Sequence, residues 1–180
     1  MVLKRLIGFS AIVPFFVLVL FFGACSEKKS EKKINYAAIK EPLISANERF
    51  VRKESDEIDA YVASHHWQVE KTATGIRYQF LQHGKGPLAQ KGQYIKMAFS
   101  VHLLDGTLCY TSDKLGAKTF LIGEDHVESG LHEMALLLTV GDQLKVILPS
   151  YLAFGLTGDG AKIPPRAAVV YNLQVLGIHD

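Results

Sequence analysis

Hydrophobic and polar positions change rhythm three times along this chain. Leu6 to Phe22 is almost unbroken apolar sequence behind Lys4 and Arg5, whereas Ser26 to about Lys40 is rich in Lys, Glu and Ser. From Ser45 to about His65 the period is helical: Phe50, Val51, Ile58, Tyr61 and Val62 share one side, and Arg52, Lys53, Glu54 and Asp56 lie elsewhere. Ser45 followed by Glu48 offers a capping box for the start of that helix. From Gly75 onward the period falls to two. Ile76 to Leu81 and Tyr94 to Leu104 alternate, Asp105-Gly106 marks a hairpin, and Lys118 to Ile122, Gln143 to Leu148 and Ala167 to Ile178 supply further strands. Glu128 to Leu138 is the one helical interval among them, with Leu131, Ala135 and Leu138 on its inner face, Met134 beside them, and His132 and Glu133 outside. Five or six strands with one central helix predict an α+β fold, an antiparallel sheet wrapped on a short helix and preceded by a helical arm.

The organisation that follows is a segment 1–24 ahead of Cys25, a flexible tether 25–44, a helical arm 45–66 and a folded domain 74–180. The arm reads either as a packing or dimerisation element or as a cover for one edge of the domain, and the second reading is the simpler. Segment 1–24 has a positive start, an apolar run and small residues, Gly23 and Ala24, before Cys25. It resembles a bacterial lipoprotein signal, although Phe22 stands where Leu is usual. The resemblance implies lipidation of Cys25 and a place in the cell envelope, with Ser26 suggesting the outer membrane. A membrane-spanning anchor is the alternative for the same run.

Charge and cysteine content narrow the chemistry. Without Lys4 and Arg5 the 20 basic residues become 18, equal to the 18 acidic ones, so no basic surface for nucleic acid is expected. With Cys25 lipidated, Cys109 has no disulfide partner and reads as a packed thiol in an apolar strand. The 7 His residues show no ligand spacing with Cys or carboxylates, so no metal and no cofactor are expected. Gly155 to Gly160 lacks the Lys-Ser/Thr of a phosphate loop.

The stretch Gly141 to Ile178 is the most informative. Strand, Pro149, aromatic turn Ala153-Phe154-Gly155, a Gly-rich loop ending in Ile163-Pro164-Pro165, and a Val-rich final strand follow in order. With Asp105-Gly106, Phe120-Leu121-Ile122-Gly123 and Val140-Gly141-Asp142, this order resembles the FKBP-type peptidyl-prolyl cis–trans isomerases over Thr74 to Ile178. Ser129-Gly130-Leu131-His132-Glu133 and Pro149-Ser150 are similar to a lipoprotein branch associated with gliding motility. The resemblance implies an isomerase for X-Pro bonds of unfolded or extended envelope proteins, acting without nucleophile, metal or cofactor.

Carried over by position, the family pocket falls on Phe99, Phe120, Val127, Glu128, Leu131, Phe154, Ile163 and Tyr171. Val127 and Glu128 stand where the family offers a backbone N–H to substrate, so the Glu128 side chain need not enter the site. Phe154 and Phe99 each replace a Tyr, Leu131 replaces a Trp, and Tyr110 occupies the position of an Asp that orients the twisted imide. Phe99, Tyr110 and Phe154 are thus the expected catalytic positions. These replacements keep two other readings open: a non-catalytic binding module or chaperone in a secretion or motility assembly, and a structural lipoprotein whose pocket is filled by its own side chains.

Overall fold

The computed structural model describes the backbone of Tyr36–Asp180 and side chains from Lys40 onward. Segment 1–24, Cys25 and most of the expected tether therefore lie outside the described residues. The compact unit begins at Glu41. Helix α1 (Tyr36–Ser64) leads into β1 (Glu70–Lys71), β2 (Arg77–Gln82), β3 (Tyr94–Leu103), β4 (Leu108–Thr111), α2 (Ser112–Leu115), β5 (Lys118–Leu121), α3 (Ser129–Ala135), β6 (Gln143–Leu148) and β7 (Val169–His179). The seven strands form one antiparallel sheet in the order β1-β2-β6-β7-β3-β4, with β5 paired to β3.

Period-two alternation sets the two faces of this sheet. Leu144, Val146 and Leu148 on β6, with Val169, Tyr171, Leu173 and Val175 on β7, point to one side. There they join Ile95, Met97, Phe120, Leu131 and Met134 in the main core under α3. The intervening Ile147 and Val170 point the other way and meet Ile58, Tyr61 and Val62 of α1, with Trp67. The helical arm thus covers a sheet face; an edge was the expectation. That second cover explains why Ile147 and Val170 are apolar on a face that elsewhere carries Lys145, Asn172 and Gln174.

Two expectations about α1 need correction. The helix is already present at Tyr36, the first described residue, and runs through Pro42 and Ser45, so the boundary at 44/45 and the Ser45 cap do not hold. Tyr36 to Glu41, with its Ala pair and Lys and Glu, has helix-forming composition that the charged sequence before it obscures. Glu54 is also not solvent-facing: it sits on the buried stripe one turn before Ile58, and its carboxylate accepts the Ser150 N–H at 2.8 Å. Arg77, only 1 % exposed, anchors the same helix through Asp59 at 2.7 Å and the Ser55 hydroxyl at 2.6 Å.

The central helix is shorter than expected, Ser129–Ala135. Two further short helical pieces accompany it, α2 and a 3₁₀ turn at Ser150–Leu152. Gly130 explains how closely α3 seats on the sheet, because a Cβ there would stand 2.6 Å from a Leu148 methyl.

Candidate active site

Strand register builds the floor of a hollow at one end of the sheet. Val101 on β3 is opposite Tyr110 on β4 and opposite Tyr171 on β7, so three side chains form one row across neighbouring strands. Phe99 lies two residues along the same face. Lys118 enters from β5, Glu128 from the residue before α3, Leu115 from the end of α2, and Phe154 and Asp159 from the loop between the 3₁₀ turn and β7. Together these nine residues enclose about 300 Å³. An adjoining recess of about 460 Å³ shares Lys118, Glu128 and Phe154 and adds His126, Val127, Ser129 and Ala153.

The covering loop is held in shape by Asp159. Its Oδ1 accepts the N–H groups of Ala161 at 2.9 Å and Ile163 at 2.8 Å, and its Oδ2 accepts the Tyr110 hydroxyl. Lys162 Nζ donates to the Cys109 carbonyl at 2.8 Å, a second tie from the loop to β4. Gly158 makes the bend before Asp159 at φ 67°, where a Cβ would stand 2.2 Å from the Ile163 carbonyl oxygen. Tyr110 is therefore tied at the rim by the loop and leaves the hollow open.

Opposite it, Tyr171 donates to Glu128 Oε1 at 2.5 Å, and Lys118 Nζ stands 2.9 Å from Glu128 Oε2. Burial is the strongest single influence on Glu128 and opposes its charge. Lys118, the Tyr171 hydroxyl and the residue's own backbone N–H together outweigh burial and hold the carboxyl below the usual range. Burial first, and then the Glu128 charge and hydrogen bond, push the Tyr171 hydroxyl well above the ordinary tyrosine range. The proton of this pair therefore stays on Tyr171. Lys118 also stands 5.9 Å from the Phe99 ring centroid.

The hollow gathers five of the expected residues: Phe99, Tyr110, Glu128, Phe154 and Tyr171. Val127 lines the adjoining recess, and its N–H is engaged with the Asp125 carbonyl at 3.0 Å. Phe120, Leu131 and Ile163 do not line the hollow and sit in the core around it, whereas Val101 and Tyr171, no more exposed, turn a face into it. Phe120 sits under α3 with the His132 ring at 5.3 Å, while Lys118, two residues earlier on the same strand face, takes the place nearest the hollow. The Glu128 side chain enters the site, where the resemblance required only its backbone. Its N–H, expected to serve a substrate carbonyl, helps hold its own carboxylate ionised.

Sequence reasoning missed Lys118, Val101, Leu115 and Asp159. Period two from Phe120 would have placed Lys118 on the inward face; Asp159 gave no comparable signal. Cys109 is buried, and its thiol is pushed upward by burial first and by Asp159 second, consistent with a packing role. Among the described residues, no group of three or more His, Cys, Asp or Glu is placed to hold a metal, and no helix is long and apolar enough to cross a membrane.

Comparison with known proteins agrees with the fold. A human protein, peptidyl-prolyl cis-trans isomerase FKBP10, is 31 % identical over 94 residues, 52 % of this chain but 16 % of that protein. The FKBP-type 22 kDa peptidyl-prolyl cis-trans isomerase of Escherichia coli is 26 % identical over 110 residues, 61 % of this chain and 53 % of that one. The matched region thus spans about half or less of these relatives. The crystal structure of FkpA from Escherichia coli aligns with a TM-score of 0.60 at 24 % identity, covering 84 % of this chain and 74 % of that chain, a likeness of fold. Residues 86–176 match the family described as FKBP-type peptidyl-prolyl cis-trans isomerase, and the chain belongs to that family.

Proposed function

We propose that this protein is a peptidyl-prolyl cis–trans isomerase acting on X-Pro segments of unfolded or extended cell-envelope proteins. The observation that supports the reading is the hollow of about 300 Å³ walled by Phe99, Val101, Phe154 and Tyr171, all within the span that matches the family. Rotation about an X-Pro bond meets a barrier of ~18–20 kcal/mol because twisting removes amide resonance. The two ground states differ by only about 0.5–1 kcal/mol, so lowering the barrier serves both directions. The twisted imide is less charge-separated than the planar one, so a hollow that excludes water disfavours the planar form more. Shape complementarity of the aromatic walls to the twisted prolyl group adds to this.

Activity is expected to be weak. Tyr110 stands where the family resemblance puts a carboxylate, and Phe154 has no hydroxyl to donate. Those replacements, with the Lys118–Glu128 pair inside the hollow, favour as a second reading a module that grips Pro-containing segments without turning them over.

Lipidation of Cys25 would anchor the protein to a membrane of the envelope, with Ser26 after it favouring the outer membrane. The support is the sequence alone: Cys25 ends the apolar run and begins the charged one. Incorporation of labelled fatty acid that is lost in Cys25→Ser tests it; equal labelling of both proteins overturns it. For the activity, the full chain in mild detergent is added to a client whose refolding is limited by proline isomerisation. Faster refolding, diminished by Phe154→Ala, supports the enzyme. Client binding with no acceleration supports the gripping module.

A further inference from the structure

The carboxylate that β4 lacks returns to the same hollow from another element. Asp159 lies in the covering loop, 49 residues after Tyr110, and its Oδ2 accepts the Tyr110 hydroxyl. Both residues line the hollow. Asp159 is itself fixed by the Ala161 and Ile163 N–H groups on Oδ1, which leaves Oδ2 for Tyr110. We propose that Asp159 is a positioning residue for the isomerase site, fixing the Tyr110 hydroxyl so that its proton points to the loop and its oxygen lone pairs face the bound imide.

The direction of that hydroxyl decides what the substrate meets. As the imide twists, resonance is lost and its carbonyl carbon becomes electron-poor. An oxygen lone pair facing that carbon is favourable, and more so when the hydroxyl donates to a carboxylate and its oxygen carries added negative character. Fixed in advance, this dipole needs no reorganisation as the bond turns. A freely rotating Tyr110 would instead present its proton part of the time. The same hydrogen bond holds the covering loop to β4, so one contact serves loop position and hydroxyl direction.

The proposal rests on the isomerase reading and is separable from it by substitution. Asp159→Asn keeps an oxygen for the Ala161 and Ile163 N–H groups but turns a donor toward Tyr110, reversing the hydrogen bond. Kinetics on a proline tetrapeptide compare the full chain with Tyr110→Phe, Asp159→Asn and the double variant. Each single variant is expected to lower kcat about tenfold with KM unchanged, and the double is expected to be no slower than the worse single.

A second readout is independent of turnover. Ultraviolet titration, with Tyr110→Phe subtracted to isolate that residue, should show Tyr110 ionising above the ordinary tyrosine range, and lower in Asp159→Asn. The Asp159 hydrogen bond is the main cause of the upward shift; burial and the Asp159 charge add to it, Cys109 contributes slightly, and the Lys162 backbone N–H opposes. An active wild type whose Asp159→Asn variant turns over unchanged, or losses that multiply in the double variant, overturns this proposal alone. An inactive wild type overturns the isomerase reading and this proposal with it.

Discussion

Replacing Lys118 by Met tests the electrostatics of the hollow. The change leaves a methionine stem along the Phe99 ring but strips Glu128 of its cation. The Glu128 side chain is 7 % exposed and that of Lys118 is 30 % exposed. Removing one partner of a fully buried pair costs about 3–5 kcal/mol, because the other charge is left uncompensated. A surface pair contributes about 0–1 kcal/mol. This pair is intermediate, and we expect Lys118→Met to cost about 2 kcal/mol, or about 4–8 °C in Tm for a domain of this size. Adding Glu128→Gln removes the stranded charge yet keeps an acceptor for Tyr171, so the double variant should recover at least half of the loss.

The pH dependence has a definite sign. In the wild type Glu128 is held low, so its contribution is present above the ordinary carboxylate range and is lost only as pH falls below that range. Without Lys118, burial dominates and raises the carboxyl, so the penalty of the variant shrinks as the medium is acidified. Urea unfolding followed by Trp67 fluorescence at about pH 8 and about pH 5 reads both effects. A deficit below about 0.5 kcal/mol, an equal deficit at the two pH values, or no recovery in the double variant would refute the reasoning.

Three further outcomes follow from the packing. Phe120→Ala should lower stability by about 3–5 kcal/mol in urea unfolding, since Phe120 is core and not pocket wall; an unchanged midpoint with selective loss of activity would return it to the site. Gly158→Ala should cost at least about 1–3 kcal/mol in the thermal melt, because its Cβ meets the Ile163 carbonyl at positive φ; an unaltered melt contradicts the loop geometry. Glu54→Gln should stabilise the protein at neutral pH. Burial raises the Glu54 carboxyl, partly offset by the Ser150 N–H, and its Oε2 is buried without a partner. A raised carboxyl weakens folding where it is charged, so the gain should fade on acidification; a gain that grows toward acid pH contradicts the assignment.

Much of this architecture was legible because strand periodicity and burial agree. Alternation through Tyr94 to Leu104 and Gln143 to Leu148 located β3 and β6 to within a residue, and Asp105-Gly106 fixed the hairpin that brings Tyr110 beside Val101. The aromatic walls Phe99, Phe154 and Tyr171 were legible from the family order. The charged half of the site was not. Lys118 and Asp159 carried no site signal and Glu128 was expected through its backbone N–H; the roles of the three side chains depend on partners 10, 49 and 43 positions away. Depth was equally hidden: Phe120 and Lys118 share a strand face, and only the position of α3 puts one in the core and the other at the hollow. Glu54 was misplaced for a similar reason, since its acceptor role depends on a Ser150 N–H brought up from 96 residues away.

The central claim is that this hollow receives a prolyl group and turns it. Exchange spectroscopy on a proline tetrapeptide tests it most directly, with the full chain in micelles at catalytic concentration and Phe154→Ala beside it. The account predicts cis–trans exchange faster than in the peptide alone, with prolyl resonances perturbed, and both effects lost in the variant. Exchange at the uncatalysed rate with unperturbed prolyl resonances would contradict it.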